Sequence, residues 1–559
     1  MAGRRPRKRK SLSAADGRIR LLSAILAVCF LAVAVKALTL TATSAGLGTA
    51  AQRQSQQEVL LPAHRGDIVD RNGTLLAVGK VQMTVWATPH QLTDPRGVAR
   101  RLAAVLHVSR PKLEKQLLRH DSWYTCVASK IDPSKARKAT ALGIDGVGAS
   151  PEEKRVYPLR SLASQVIGFA GTDNKGLAGL ELGYDSELEG KAGSELVVCD
   201  PSGTVIKTDR ERDPRSGATV RLTIDKDIQF EAERVLLETV RHFKAKDAVG
   251  IVMDPRSGEV LAMANVPLVN GNQWGDSKAE LERNRAVSDI FEPGSIFKVV
   301  TVSAALQDGL VTPNTSFVLP YQIVVDGKPF HDAHLRPTER LTVREILAQS
   351  SNVGAARLGK MLGKKELLSW VKRFGFGKPT GVAFPGEASG LLPAYWAQST
   401  IASVPMGQGI SVTALQMAAA YAAIGNGGVW QVPRLVAQVG TRLTQPVGKH
   451  RVISAKVASQ VLSMMNDAVM EGTATAFKIP GYAAAGKTGT AQVPYYDRPG
   501  YAPGQYKASF VGLVPSDHPR LLVMVVVDEP TTQIYGGQVA APAAREIAEF
   551  ALQNLKIAP

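Results

Sequence analysis

The chain runs to 559 residues, too many for one ordinary hydrophobic core, so two or more domains are expected. Its formal charge of +18 is unevenly placed: Arg4, Arg5, Arg7, Lys8, Arg9, Lys10, Arg18 and Arg20 crowd the first twenty residues against the single acid Asp16. Alone, such a cluster reads as a nucleic-acid-binding or solvated tail; the segment behind it argues against nucleic acid as the partner.

Residues 21–35 carry no charge, and the apolar stretch continues past Lys36 through Ala37, Leu38 and Leu40. A helix of about twenty such residues spans the ~30 Å hydrocarbon layer, and Lys36 near its far end can snorkel to the interface. A small-residue cleavage pattern can be drawn at 41–44, but the apolar run exceeds the ~7–15 residues of a signal-peptide core. The reading is a retained, single transmembrane helix at 21–41. The positive-inside rule then keeps the basic tail 1–20 in the cytoplasm and places everything from residue 42 outside it.

Residues 42–57 are small and polar, a short riser from the membrane. Residues 59–78 read as a hairpin turning at Asp70-Arg71-Asn72-Gly73, because Asn-Gly favours the positive φ of a tight turn. Helical spacing follows across 83–145, in Val98, Leu102, Val105 and Leu106, then Leu113, Leu117 and Leu118. Arg155-Val156-Tyr157-Pro158 opens a segment that reaches Gly179-Leu180-Glu181. The polar stretch 200–217, broken by Pro201, Gly203, Pro214 and Gly217, is the domain boundary. A pedestal-like α+β domain is therefore expected at 42–217 and a second domain at 218–559.

In the second domain, 219–224 alternates like a strand, and Ile228, Ala232, Val235, Leu236, Val240 and Phe243 recur at helical spacing. Two apolar runs, 249–253 and 260–264, flank a Pro-Gly turn. A helix is expected from Ser295 and another over 413–424, with Ser411 or Thr413 as N-cap. Strands follow at 483–491, 509–514 and 521–528, then a last helix at 541–552. First and last strands meet in an α/β fold, a mixed sheet sandwiched by helices with a serine at a helix end.

Cys29 lies in the apolar span. Cys126 and Cys199 share a compartment that permits a disulfide, but nothing in the sequence brings them together, and both read as buried thiols. No Cys/His spacing suggests zinc. His331 and His334 flank Asp332 in a Pro- and Gly-punctuated stretch, which reads as a surface loop. No repeat or long low-complexity tract appears.

Three short motifs carry the chemistry. Ser295-Ile296-Phe297-Lys298 places a hydroxyl and an amine three residues apart, on one helix face. It follows Glu292-Pro293-Gly294, an abrupt turn into a helix whose N-terminus favours an activated nucleophile. For Lys298 to act as a base its pKa must fall, by burial or beside a cation such as Lys487. Ser350-Ser351-Asn352 supplies a hydroxyl to bridge the two lysines and an amide for a substrate carbonyl. Lys487-Thr488-Gly489-Thr490 ends an apolar strand, where glycine permits close approach of another chain. Each motif alone reads as an ordinary helix, cap or turn; the three in this order, behind a membrane anchor, do not.

The set resembles the serine enzymes that react with β-lactams, and most closely the class B penicillin-binding proteins, their cell-division members in particular. The resemblance extends to 65–73, to Asp254-Pro255 through Ala264, to Asn284-Arg285-Ala286, to Val353-Gly354 after the second motif, and to 386–391. It departs at Ile296, where the family usually has Thr. It implies a D,D-transpeptidase of a bacterial cell membrane that cross-links peptidoglycan stem peptides and needs no cofactor or metal. Ser295, Lys298, Ser350, Asn352 and Lys487 are then catalytic, Thr488, Gly489 and Thr490 bind substrate, and the backbone amides of Ser295 and Thr490 form the oxyanion hole. The implied partners are a SEDS-family glycosyltransferase of the FtsW type, other division proteins, stem peptides and β-lactams. Elongation- and spore-type members share the motifs. A β-lactamase or β-lactam sensor, and a catalytically silent scaffold, are the alternatives from other classes; the long pedestal and the intact motifs speak against them. The Pro- and Gly-rich 492–507 is expected as a flap rather than a strand.

Overall fold

The computed structural model describes residues 14–119, 121–199, 205–445, 448–495 and 497–559. The basic cluster Arg4 to Lys10 lies outside them. The chain divides into two compact units, Met1–Ala63 with Lys191–Arg215, and His64–Gly190 with Ser216–Pro559.

In the first unit a single helix covers Ala14–Ser55, and 25 of its residues, Gly17–Thr41, are long and apolar enough to cross a bilayer. With no proline from Lys36 to Ser55, the helix continues through the expected riser. Gln56–Leu61 then pairs antiparallel with Gly193–Cys199, which also pairs with Val205–Arg212. The run at 59–61 is therefore not the first arm of the expected hairpin.

The turn itself is correctly placed. Ile68–Val69 and Leu75–Ala87 are antiparallel across it, with Gly73 at φ 91° and Asp70 Oδ1 accepting the N–H groups of Asn72 and Thr74 at 2.9 and 2.7 Å. Leu75–Ala87 also pairs with Thr125–Ile131 and Val147–Val156. Helices Pro95–Leu106, Arg110–Leu117 and Pro133–Thr140 cover these strands, with Val98, Leu102, Leu106, Leu113 and Leu117 in one core. Cys126 is a free, exposed thiol, contrary to expectation, because its side chain projects from the outer face of Thr125–Ile131. The side chain of Cys199 lies outside the described residues.

Arg65 is a buried hub. Its Nε donates to Glu181 Oε2 at 2.8 Å and its Nη1 to Asp185 Oδ1 at 2.7 Å, while Arg155 Nε donates to Glu181 Oε1 at 2.6 Å. The strand expected at 219–224 forms as Val220–Leu222, but pairs with Ile68–Val69 and Val436–Val439 instead of the main sheet.

The main sheet is framed by α1 (Lys226–Phe243), β1 (Asp247–Met253), β2 (Val260–Val266), α2 (Lys298–Gln307), α3 (Asn352–Arg373), α4 (Ala414–Gly425), α5 (Ala455–Met470), β3 (Ala485–Pro494), β4 (Tyr501–Val514), β5 (Leu521–Asp528) and α6 (Gly536–Asn554). Strand order is β2-β1-β5-β4-β3. The last strand meets β1 rather than the first expected strand at 219–224, which lies in another sheet. All four pairings are antiparallel rather than mixed, since tight turns join β1 to β2 and β3 to β4 to β5. Every residue of β1, β2 and β5 is buried, because α1 and α6 cover one face and α2, α4 and α5 the other. Thr413 caps α4 in a reciprocal pair with Gln416. Glu233 on α1 accepts the Ala163 N–H at 2.8 Å, tying the pedestal segment to this helix.

The expected flap at 492–507 is a hairpin. β3 continues to Pro494 and β4 starts at Tyr501, with Gln492 opposite Tyr506 and Pro494 opposite Tyr501. β3 is the edge strand, where a proline leaves no interior ladder bond unmade. Tyr501 OH donates to buried Glu292 at 3.0 Å and holds the hairpin against the segment before Ser295.

Candidate active site

Ser295 stands in a short 3₁₀ turn, Gly294–Phe297, that feeds directly into α2 at Lys298. Gly294 adopts φ 55°, and its N–H donates to Gly407 O at 3.0 Å. A side chain at Gly407 would meet the Gly294 backbone at 2.1 Å. The turn is held from below by Tyr421 OH, which donates to Ile296 O at 2.7 Å. Ile296 is fully buried, so the residue that departs from the family pattern is a core side chain.

Lys298 Nζ is 2.9 Å from Ser295 Oγ, 2.5 Å from Ser350 O, 2.7 Å from Asn352 Oδ1 and 3.1 Å from Ser350 Oγ. The carbonyl of Ser350 and the amide oxygen of Asn352 can only accept. A neutral amine that donates its two protons to them keeps its lone pair for the Ser295 hydroxyl. Burial pushes the Lys298 pKa well below the usual lysine value, the Lys487 charge lowers it further, and Asp332 opposes them. Lys487 is fully buried and its pKa falls to about 7 by desolvation. Its Nζ donates to Ser350 Oγ at 3.0 Å. The Ser350 hydroxyl thus joins the two amines.

Ser350 is held at φ 65°, a conformation costing about 1–3 kcal/mol for a non-glycine residue. Asp332 offsets that strain. Its buried carboxylate accepts Ser351 Oγ at 3.1 Å, Asn352 N at 2.5 Å and Val353 N at 3.0 Å, and Arg336 Nη2 donates to it at 2.6 Å. His331 and His334 are exposed, but His331 ends a strand, Lys328–His331, rather than lying in the expected loop, and Asp332 between them supports the second motif. Sequence reasoning missed it. The visible signal was an acid flanked by histidines, and nothing in its spacing links it to Asn352. His331 O also accepts Asn352 Nδ2 at 2.8 Å.

β3 brings the third motif alongside. A side chain at Gly489 would meet Ser509 Oγ at 2.3 Å and Ile296 Cγ2 and Pro293 O at 3.1 Å, so the strand and the serine turn lie backbone to backbone. Thr488 Oγ1 is 2.9 Å from Thr473 Oγ1, and Thr490 Oγ1 accepts Gly536 N at 3.1 Å. The structure therefore brings the three motifs, with the seven other residues singled out from sequence, together around Ser295. Glu292, Tyr421, Thr473 and Arg336 join them as supports that sequence reasoning did not find.

This geometry suits acyl transfer through a serine. The penicillin-binding protein transpeptidase domain family matches residues 248–549, and the penicillin-binding protein dimerisation domain family matches 60–222. The chain is 33% identical to the peptidoglycan D,D-transpeptidase FtsI of Escherichia coli, over 89% of this chain and 84% of the relative. It is 34% identical to stage V sporulation protein D of Bacillus subtilis, over 89% and 79%. Among solved structures, penicillin-binding protein 3 of Mycobacterium tuberculosis complexed with aztreonam superimposes with a TM-score of 0.72 at 30% identity, covering 89% of this chain and 98% of that one. The chain belongs to the class B penicillin-binding proteins and is a peptidoglycan D,D-transpeptidase of that family.

Proposed function

We propose that the chain cross-links septal peptidoglycan through an acyl-enzyme on Ser295, releasing D-alanine, and that β-lactams acylate the same serine. The observation that carries the reading is the 2.9 Å approach of a desolvated Lys298 amine to Ser295 Oγ. Lys298 takes the hydroxyl proton as Ser295 attacks the penultimate D-alanine carbonyl. Ser350 then passes a proton to the departing amine, and a neighbouring stem's amine attacks the ester. Asn352 orients the substrate. The substrate's terminal carboxylate rests against Thr488 and Thr490, with the buried Lys487 charge behind them. Backbone amides of Ser295 and Thr490 stabilise the oxyanion, at ~3–4 kcal/mol per donor.

The helix Gly17–Thr41 supports a single-pass anchor with a cytoplasmic N-terminus and an extracytoplasmic enzyme. The likeness to FtsI supports the septal role and a SEDS-family, FtsW-type glycosyltransferase as partner. The equal likeness to a sporulation protein keeps an elongation- or spore-type role as the second reading. Fluorescent penicillin should label the wild-type chain stoichiometrically and leave Ser295→Ala unlabelled; label on the variant would move the nucleophile elsewhere. A fluorescent fusion concentrated along the sidewall would reject the septal role.

A further inference from the structure

Two clefts border the segments that hold the serine, one at Gln408 and Tyr501 and one at Ser350, and their charges differ. One, of about 360 Å³, is lined by Lys328, Phe330, Pro393, Gln408 and Tyr501 and contains no carboxylate. The other, of about 280 Å³, opens beside Ser350 and is lined by Asp332, Arg336, Gln349, Glu471 and Thr473. Within it Asp332 and Arg336 neutralise each other at 2.6 Å. Glu471 is exposed and, among the described residues, its carboxylate has no ion pair or hydrogen bond. It also caps the C-terminus of α5, where the helix dipole adds negative potential.

We infer that this second cleft receives the acceptor amine and that Glu471 recognises it as a cation. The inference rests on the transpeptidase reading above. An alkyl amine with a lysine-like pKa of ~10.4 arrives protonated, and this cleft offers an uncompensated carboxylate in the same lining as Ser350. The ammonium gives one proton to solvent past Glu471. The neutral nitrogen then forms the amide bond as the Ser295 ester C–O bond breaks, and its second proton crosses Lys298 to Ser295 Oγ. Thr473, bonded to Thr488, fixes the wall between this cleft and β3.

The test uses the full chain in detergent with an acyl-D-alanyl thioester as donor, and reads the ratio of aminolysis to hydrolysis of one acyl-enzyme. Because both products come from the same intermediate, the ratio is independent of acylation. With Nα-acetyl-D-lysine as acceptor, Glu471→Gln should lower the ratio roughly five- to tenfold, more at low ionic strength. Glu471→Asp should retain most of it, and the ratio for neutral hydroxylamine should stay within about twofold, since no cation is read. An unchanged lysine ratio, or an equal fall with hydroxylamine, overturns the assignment. Absence of any Ser295 acyl-enzyme in the wild type would instead reject the transpeptidase reading itself.

Discussion

Asp332 accepts the backbone N–H of Asn352 at 2.5 Å, and through this bond a residue twenty positions upstream sets the conformation of the second motif. Removing the carboxylate would leave three donors of the turn and the Arg336 guanidinium without their acceptor. Asp332→Ala should cost about 3–5 kcal/mol of stability and slow penicillin acylation. Asp332→Asn should keep part of both. Denaturant melts and labelling rates on the same preparations check this; a stable Asp332→Ala variant that acylates normally would show that Ser350 holds its geometry unaided.

Lys298 and Ser295 act as one unit. Loss of a general base costs roughly 10²–10⁴ in rate, so Lys298→Ala should acylate that much more slowly. Because the two losses are not additive, Lys298→Ala combined with Ser295→Ala should be no worse than Ser295→Ala alone. A double variant with a further loss beyond the serine change would break the coupling.

The acylation rate should rise with pH through the depressed Lys298 value, because only the neutral amine is a base. It should fall again as Lys487 loses its proton near pH 7, when the carboxylate-binding charge disappears. Lys487→Gln removes a charge that helps to depress Lys298. Its rising limb should therefore move to higher pH, and its alkaline fall should vanish. A pH–rate profile of the variant that coincides with the wild type would refute the coupling.

Glu233 supplies a stability prediction with the opposite sign. Burial raises its pKa from the ordinary carboxylate value of about 4.5 to about 7. Below about pH 4.5 both states hold the proton. As pH rises, the unfolded chain releases it first, so stability falls by roughly 3 kcal/mol between about pH 4.5 and 7 and then levels off. Glu233→Gln, which keeps an acceptor for Ala163, should flatten that slope in denaturant titrations across the range.

Charge reversal separates two pedestal arginines. Arg65→Glu would place a carboxylate against buried Glu181 and Asp185, costing at least ~3–5 kcal/mol. Arg71 is partly exposed and only 3.5 Å from Glu259, so Arg71→Glu should cost under about 1 kcal/mol. Arg71 is therefore the position at which reversal can test coupling to glycan polymerisation, with penicillin labelling retained. Equal polymerisation by wild type and Arg71→Glu in a reconstituted pair would make this turn a spacer.

Local order was legible wherever periodicity and turn chemistry agreed. The strand at 521–528, the capped helix after Thr413 and the turn at Asp70 to Gly73 stand where the residues place them. Partner choice was less legible, because alternation marks a strand without naming its neighbour. The strands at 59–61 and 220–222 therefore joined unexpected sheets. Proline counts misled at 492–507, since an edge strand tolerates what an interior one rejects. The motif residues were readable because catalysis constrains residue type, whereas Asp332 acts through tertiary contact alone.

β5 lies between β1 and β4, so the last strand made is the one that closes the sheet. Nearly the whole domain must be synthesised before β1, buried along its length in the finished fold, finds its second neighbour. Until then β1 and β2 are a hairpin with a bare apolar edge, the kind of intermediate that aggregates. Folding is thus gated by such a distant pairing and is correspondingly slow. A nascent chain that stops short of Leu521 has no route to a complete site, although all three catalytic motifs are already present.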